Sequence, residues 1–212
     1  VSRLVSLSLA DFAAALASDA PAPGGGSAAA AAGAGGAALL SMVIRLTLGK
    51  EKFKDAWSEL ETLLSALDGH RARFLELVDE DTKAFHAIVA ARKLPKESEA
   101  EKALRKKAID DATVVATTVP MQTAFFSEQA LRAAVTVAEK GNPNAASDAF
   151  VAALLLSAAL EGALANVRIN LGGIADATLR KGFEEDAADL AGKGAASLDA
   201  CRTLARGRGL VA

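Results

Sequence analysis

Tyrosine is absent from this 212-residue chain, tryptophan occurs once, and aromatic residues make up only 4%. Sandwiches and barrels draw their strands from aromatic and β-branched residues, so this shortage argues against both. A single cysteine, Cys201, excludes an internal disulfide framework and fits a reducing compartment. Only two histidines occur, His70 and His86, and neither has a second His or Cys at ligand spacing, so no metal site is expected. An excess of charge is lacking too. With 24 Lys and Arg against 26 Asp and Glu, the net charge of −2 gives no reason to invoke nucleic acid. No apolar signal-peptide core precedes Asp11. The apolar run 28–44 is built from Ala and Gly and ends at Arg45, and the run 149–160 is short and bracketed by Asp148 and Glu161. Both read as buried helices of a soluble protein rather than membrane spans, with the cytoplasm as the expected location.

What the chain has in abundance is alanine, the best helix former. Its punctuation predicts an all-α fold, a single domain over 1–212, built as an antiparallel bundle of about six helices, some long and kinked. Ser8 to Asp11 resembles a capping box that opens a short helix ending near Ser18. An Ala/Gly helix runs from about Ser27 to Leu48 and stops at Gly49. A long amphipathic stretch covers 51–93, with Asp68-Gly69 as a possible break. Ser98 to Glu101 caps the next helix, which Pro120 should kink and Gly141-Asn142-Pro143 should end. An apolar helix over 147–171 and a last one over 176–204 follow, with an Arg/Gly tail expected to fray. Gly33, Gly36, Ala37 and Ser41 would let the second helix approach its neighbours closely. Long apolar helices in a chain this size also leave surface to bury, which predicts a homodimer.

Three places are candidates for chemistry. Pro21-Ala22-Pro23-Gly24-Gly25-Gly26-Ser27 cannot lie inside a regular element, yet it runs straight into a helix. The free N–H groups there favour electron-rich ligand atoms, or Ser27 simply caps the helix. The turn is neither a Walker A loop, because the Lys-Ser/Thr pair is missing, nor a nucleophile elbow, because no strand precedes it. On the long third helix Trp57, Leu60, Leu64, Leu67, Phe74, Val78, Phe85 and Ile88 form an apolar stripe at about 100° per residue. Asp81 lies within that stripe, whereas Asp79 points the opposite way. A carboxylate on a buried face is costly unless paired or protonated, so Asp81 is either a general acid/base with a raised pKa or a structural Asp bonded to a helix end or an Arg. His70 falls about three turns from Asp81, roughly 16 Å by the helical rise, and His86 falls on the solvent side. On the fifth helix Asp148, Asn166 and Asn170 share a face with Ala152, Leu155 and Ala159, and these polar groups need partners.

Taken in order, Pro21 to Ser27, Leu46-Thr47-Leu48-Gly49-Lys50, Asp81-Thr82-Lys83-Ala84-Phe85, Leu94-Pro95-Lys96, Gly141-Asn142 with Asn144 and Ser147-Asp148, and Asn166-Val167 with Ile169-Asn170 resemble the cyclodeaminase/cyclohydrolase family. That family comprises the C-terminal half of formiminotransferase-cyclodeaminase and its free-standing bacterial relatives, and the resemblance covers nearly the whole chain. It implies an all-helical homodimer that takes a tetrahydrofolate derivative as substrate, with no prosthetic group and no metal. One implied reaction closes 5-formiminotetrahydrofolate to the 5,10-methenyl form with loss of ammonia. The other hydrolyses the methenyl form to 10-formyltetrahydrofolate. The resemblance makes Asp81 the catalytic acid/base and assigns substrate contacts to Gly24, Gly25, Gly26, Ser27, Lys50, Asn142, Asn144, Asp148 and Asn170. Asp148 would meet pterin nitrogens, and Lys50 the tail of a folate that can be polyglutamylated. No formiminotransferase half is recognisable, and Arg45 stands where the family more often has a smaller polar residue. A helical dimerisation or folate-binding module without catalysis is the alternative.

Overall fold

Six α-helices, with no strand among the described residues, carry the chain: α1 (Leu9–Leu16), α2 (Gly25–Arg45), α3 (Trp57–Arg92), α4 (Glu99–Lys140), α5 (Ala146–Leu171) and α6 (Ala177–Gly207). The computed structural model describes residues 3–212. Side-chain caps set three of the six helix starts. Ser8 accepts the amide of Asp11, Ser98 and Glu101 form a reciprocal capping box, and Asp176 accepts the amides of Thr178 and Leu179.

Bonds between helix ends show that successive long helices run antiparallel. Ser27 meets Val78 while Ser41 meets Asp68, Lys140 meets Glu59 while Arg73 meets Gln122, and Asn170 reaches back to Ala116. The core lies between α2, α3, α4 and α5, where Phe74, Leu40, Ile44, Leu60 and Leu156 are fully buried. Each such side chain contributes about 1.5–3 kcal/mol of burial. Bare backbone on α2 makes this packing possible. A Cβ on Gly33 would overlap the Phe74 ring, and one on Gly36 would overlap Leu156.

Several expectations are corrected. Ser27 is not the cap of α2: the cap is Gly24, the helix begins at Gly25, and the Ser27 hydroxyl turns into the core instead. The same helix ends at Arg45, and the chain turns through Gly49 at φ 78°, a left-handed conformation that glycine tolerates. α3 continues unbroken through Asp68-Gly69, because Asp68 is tied to Ser41 and Arg45 of α2 while Gly69 is exposed. The Arg/Gly tail is held rather than frayed: Arg208 donates to the carbonyls of Ala138 and Glu139, and the Leu210 amide to Ala205. The second apolar stretch is longer than its sequence run implies. Gly25–Arg45 and Pro143–Leu171 are both long and apolar enough to cross a membrane, although 61% and 50% of their apolar windows are buried within the bundle.

Candidate active site

Asp81 sits where α3 passes the N-terminus of α2. Its carboxyl lies against the first turn of that helix so closely that a Cβ on Gly26 would overlap it. The glycine is therefore required by close approach, not by backbone conformation. Ser27 Oγ lies 3.1 Å from Asp81 Oδ2, 2.9 Å from the Val78 carbonyl and 3.2 Å from Thr82 Oγ1. One hydroxyl hydrogen cannot serve all three oxygens. When Ser27 donates to Val78, a protonated Asp81 can donate in turn to Ser27. Burial pushes the Asp81 carboxyl above its ordinary range, and the hydroxyl and amide of Ser27 only partly offset this.

The carboxyl opens into a cleft of about 190 Å³ bounded by Pro21, Ala22 and the three glycines on one side and by Phe85, Ile88 and Ala116 on the other. Asn166 and Asn170 of α5 complete it. Their placement follows from a proline. Pro120 has no N–H, so the carbonyl of Ala116 one turn earlier loses its helical donor. Asn170 Nδ2 takes that carbonyl at 2.7 Å and fastens the end of α5 to the middle of α4. Asn166 Nδ2 donates to Gly162 at 2.8 Å. Both amide oxygens are left without a protein donor among the described residues, ready for a ligand N–H.

The predicted site residues fall into two groups. Asp81, Gly24, Gly25, Gly26, Ser27 and Asn170 come together at the N-terminal end of α2. Lys50, Asn142, Asn144 and Asp148 do not join them: they cluster at the other end of the α2/α5 pair, about 30 Å away by the rise of a 21-residue helix. There Asn142 is buried and structural, its amide N–H donating to Thr47 and its side chain to the Leu46 carbonyl. The side chains of Lys50, Asp148 and Asn144 make no hydrogen bond or ion pair among the described residues. Asn166 is a lining residue that the sequence reading placed on the polar face but not in the site. Phe85 and Ile88 were read only as core. Their position on the Asp81 stripe was the available signal.

Four other titratable groups lie outside the cleft. Asp79 is buried rather than solvated, because Arg3 Nε (3.1 Å) and the Leu4 amide (2.6 Å) cover it. His70 packs on Phe126 with ring centroids 5.2 Å apart, and burial lowers its pKa, whereas His86 is exposed. Burial pushes the Cys201 thiol up to about 11, so it stays protonated. No cluster of His, Cys, Asp and Glu suited to a metal ion occurs among the described residues.

Fold and cleft together define an all-helical protein with a protonatable carboxyl at a helix N-terminus, set among amides that can orient a polar ligand. Residues 8–189 match the formiminotransferase-cyclodeaminase family model, and the chain belongs to that family. It is 41% identical over 161 residues to methenyltetrahydrofolate cyclohydrolase of Methylorubrum extorquens, covering 76% of this chain and 77% of that one. It is 36% identical to formimidoyltransferase-cyclodeaminase of Rattus norvegicus, matching 82% of this chain but only 32% of the rat protein. A crystal structure of formiminotetrahydrofolate cyclodeaminase from Thermotoga maritima superposes with a TM-score of 0.86 at 30% identity, covering 95% of this chain and 96% of that one.

Proposed function

We propose that the protein acts on one-carbon tetrahydrofolates, with Asp81 moving the proton at the carbon bridged by the two folate nitrogens. The observation that carries this reading is the Asp81 carboxyl itself, poised toward its neutral form in a cleft walled by bare backbone and by Asn166 and Asn170. A packing residue at that position would be apolar. A binding module without catalysis has no use for a carboxyl held against its own desolvation cost.

Cyclohydrolase activity is the first reading, supported by the Methylorubrum relative, which is matched over most of both chains. Water adds to the methenyl carbon and loses a proton, giving a carbon that bears a hydroxyl and both nitrogens. Collapse of that hydroxyl breaks the bond to N5, which receives a proton, and the second proton of water leaves to solvent. Asp81 is the group that accepts a proton from oxygen and returns one to N5, a role worth about 10²–10⁴-fold. Cyclodeaminase activity is the second reading, supported by the Thermotoga structure. There N10 attacks the formimino carbon, the N10 proton passes through Asp81 to the amino group, and ammonia departs.

Purified protein is offered methenyl- and formiminotetrahydrofolate separately. Loss of the methenyl chromophore identifies the hydrolase and ammonia release the deaminase, whereas turnover of neither would overturn both. Lys50 is proposed to meet the glutamate tail, and affinity for polyglutamylated folate that ignores salt would refute that contact. The single buried cysteine supports a reducing compartment, the cytoplasm, and the family resemblance supports a homodimer with no prosthetic group.

A further inference from the structure

A second cleft, of about 380 Å³, lies between α4 and α6 and shares no lining residue with the cleft at Asp81. Helical spacing builds its walls. Met121, Phe125, Glu128 and Arg132 recur at steps of four, three and four on α4. Asp186, Asp189 and Lys193 recur at steps of three and four on α6, with Leu190 among them. The two helices run side by side in one direction, since Gly194 lies beside Leu131 and Arg208 reaches Ala138 further on. That register sets Asp186 near Met121 and Phe125 at one end and Lys193 near Arg132 at the other. Glu128 and Leu190 stand between them.

Glu128 is the anomaly of this wall. It is only 6% exposed, yet among the described residues its carboxyl makes no hydrogen bond and no ion pair. Asp79, the other buried acid, is covered by Arg3 and the Leu4 amide. The Glu128 oxygens are not sealed in protein, as the unpartnered nitrogens of Trp57 and His70 are, and what they face is the cleft. Arg132 stands one turn on, at the spacing of a helical ion pair, but its exposed side chain lies outside ion-pair reach of Glu128. Lys193 is already taken by Asp189. Buried polar groups rarely go without a partner, and a buried carboxylate without one is costly.

A carboxylate in this position calls for a cation, and the rest of the wall decides which kind. The acids do not converge as the ligands of a metal ion must. Met121, Phe125 and Leu190 present apolar surface that a hydrated inorganic ion cannot use. Glu128, Asp186 and Asp189 face only Arg132 and Lys193, three negative charges against two positive, so a single positive charge balances the lining. The volume falls within the roughly 300–1,000 Å³ of small-molecule pockets. We propose that the cleft between α4 and α6 binds an organic ammonium ion, its head donating to Glu128 and its apolar body lying on Met121, Phe125 and Leu190. Gln129, whose side chain also makes no hydrogen bond among the described residues, offers an amide oxygen for a second N–H of the head. The pairing offsets the desolvation that Glu128 otherwise bears alone. Nothing in this site depends on the folate reading.

The test is calorimetric titration of the full-length protein with hexylammonium chloride. Saturable binding at one equivalent per chain is expected, with a midpoint of thermal unfolding that rises as the amine is added. Ammonium chloride supplies the head without the body, and hexanol the body without the head; each should bind at least about tenfold more weakly. Glu128→Gln keeps the shape and removes the charge. It should weaken hexylammonium at least about tenfold, keep folate turnover, and unfold at an equal or higher temperature, because an unpartnered buried carboxylate is a cost. Arg132→Ala should bind as well as the wild type or better. The proposal fails if the wild type shows no saturable binding, if Glu128→Gln binds undiminished, or if hexanol binds as tightly as the amine. A lower midpoint in both Glu128→Gln and Arg132→Ala would also overturn it, by showing that the two side chains pair with each other in solution. Should Glu128→Gln not fold, Phe125→Ala, at an exposed position, removes part of the apolar wall. It should weaken hexylammonium and leave ammonium unchanged, and equal affinity for hexylammonium would refute the site.

Discussion

Asp79 and Asp81 stand two residues apart on α3 and meet different ends. Asp79 is capped from outside by Arg3 and the Leu4 amide and holds the N-terminal segment down. Asp79→Ala should cost about 1.5–3 kcal/mol in denaturant unfolding, the range for hydrogen bonds to a charged group, with the exposed Arg3 adding little. Folate turnover should survive it at temperatures where the chain stays folded. Among the described residues Asp81 has no cation beside it, and burial raises its pKa above the ordinary 3.8. The folded chain therefore holds that proton more tightly than the unfolded chain does. Its stabilising contribution is complete below the ordinary value and disappears as pH rises through the raised one, so at neutral pH the ionised carboxylate is a cost. Asp81→Asn should lower turnover about 10²–10⁴-fold while leaving the Tm at neutral pH equal or higher. Unfolding measured across acid and neutral pH should also show a flatter pH slope for the variant. A Tm that falls together with activity would mark Asp81 as structural.

Helices were legible because their signals are local: caps at Ser8 and Ser98, alanine runs, and the stop at Gly172. What covers a helix was not, since periodicity identifies a face without naming its neighbour. It set Asp79 opposite the core but could not see the chain's own N-terminus fold over it. Pro120 illustrates the same limit. Helix rules predict a disturbance there, and α4 nevertheless continues, because the carbonyl that the proline orphans is taken by Asn170 from another helix. That pairing is testable by a double-mutant cycle. Asn170→Ala leaves the Ala116 carbonyl unsatisfied and should cost about 1–3 kcal/mol. In the Pro120→Ala background an amide returns to that carbonyl, so the same substitution should cost measurably less; equal costs in both backgrounds would show that the two are not coupled. Gly26→Ala tests the other wall. Its methyl group meets the Asp81 carboxyl, so turnover should drop sharply while circular dichroism still reports a helical fold.

At the scale of the molecule, the two ends of the α2/α5 pair explain why the site was only half legible. Motifs in sequence order point to residues that share a ligand without saying whether they share a chain. Lys50, Asn142, Asn144 and Asp148 were read together with Asp81, and the fold sets them a helix length away. Met42 of α2 and Val151, Leu154 and Ile169 of α5 are exposed in the single chain. Apolar surface of this kind is more stable covered than wet, and in the proposed homodimer folding and association are linked. The midpoint of thermal unfolding should therefore rise with protein concentration. Ala158→Arg, which sets a charge on the exposed apolar face of α5, should abolish that dependence and lower the midpoint. The position is exposed in the single chain, so the variant should remain helical and sediment as a monomer. A midpoint that ignores protein concentration in the unaltered chain would overturn the homodimer.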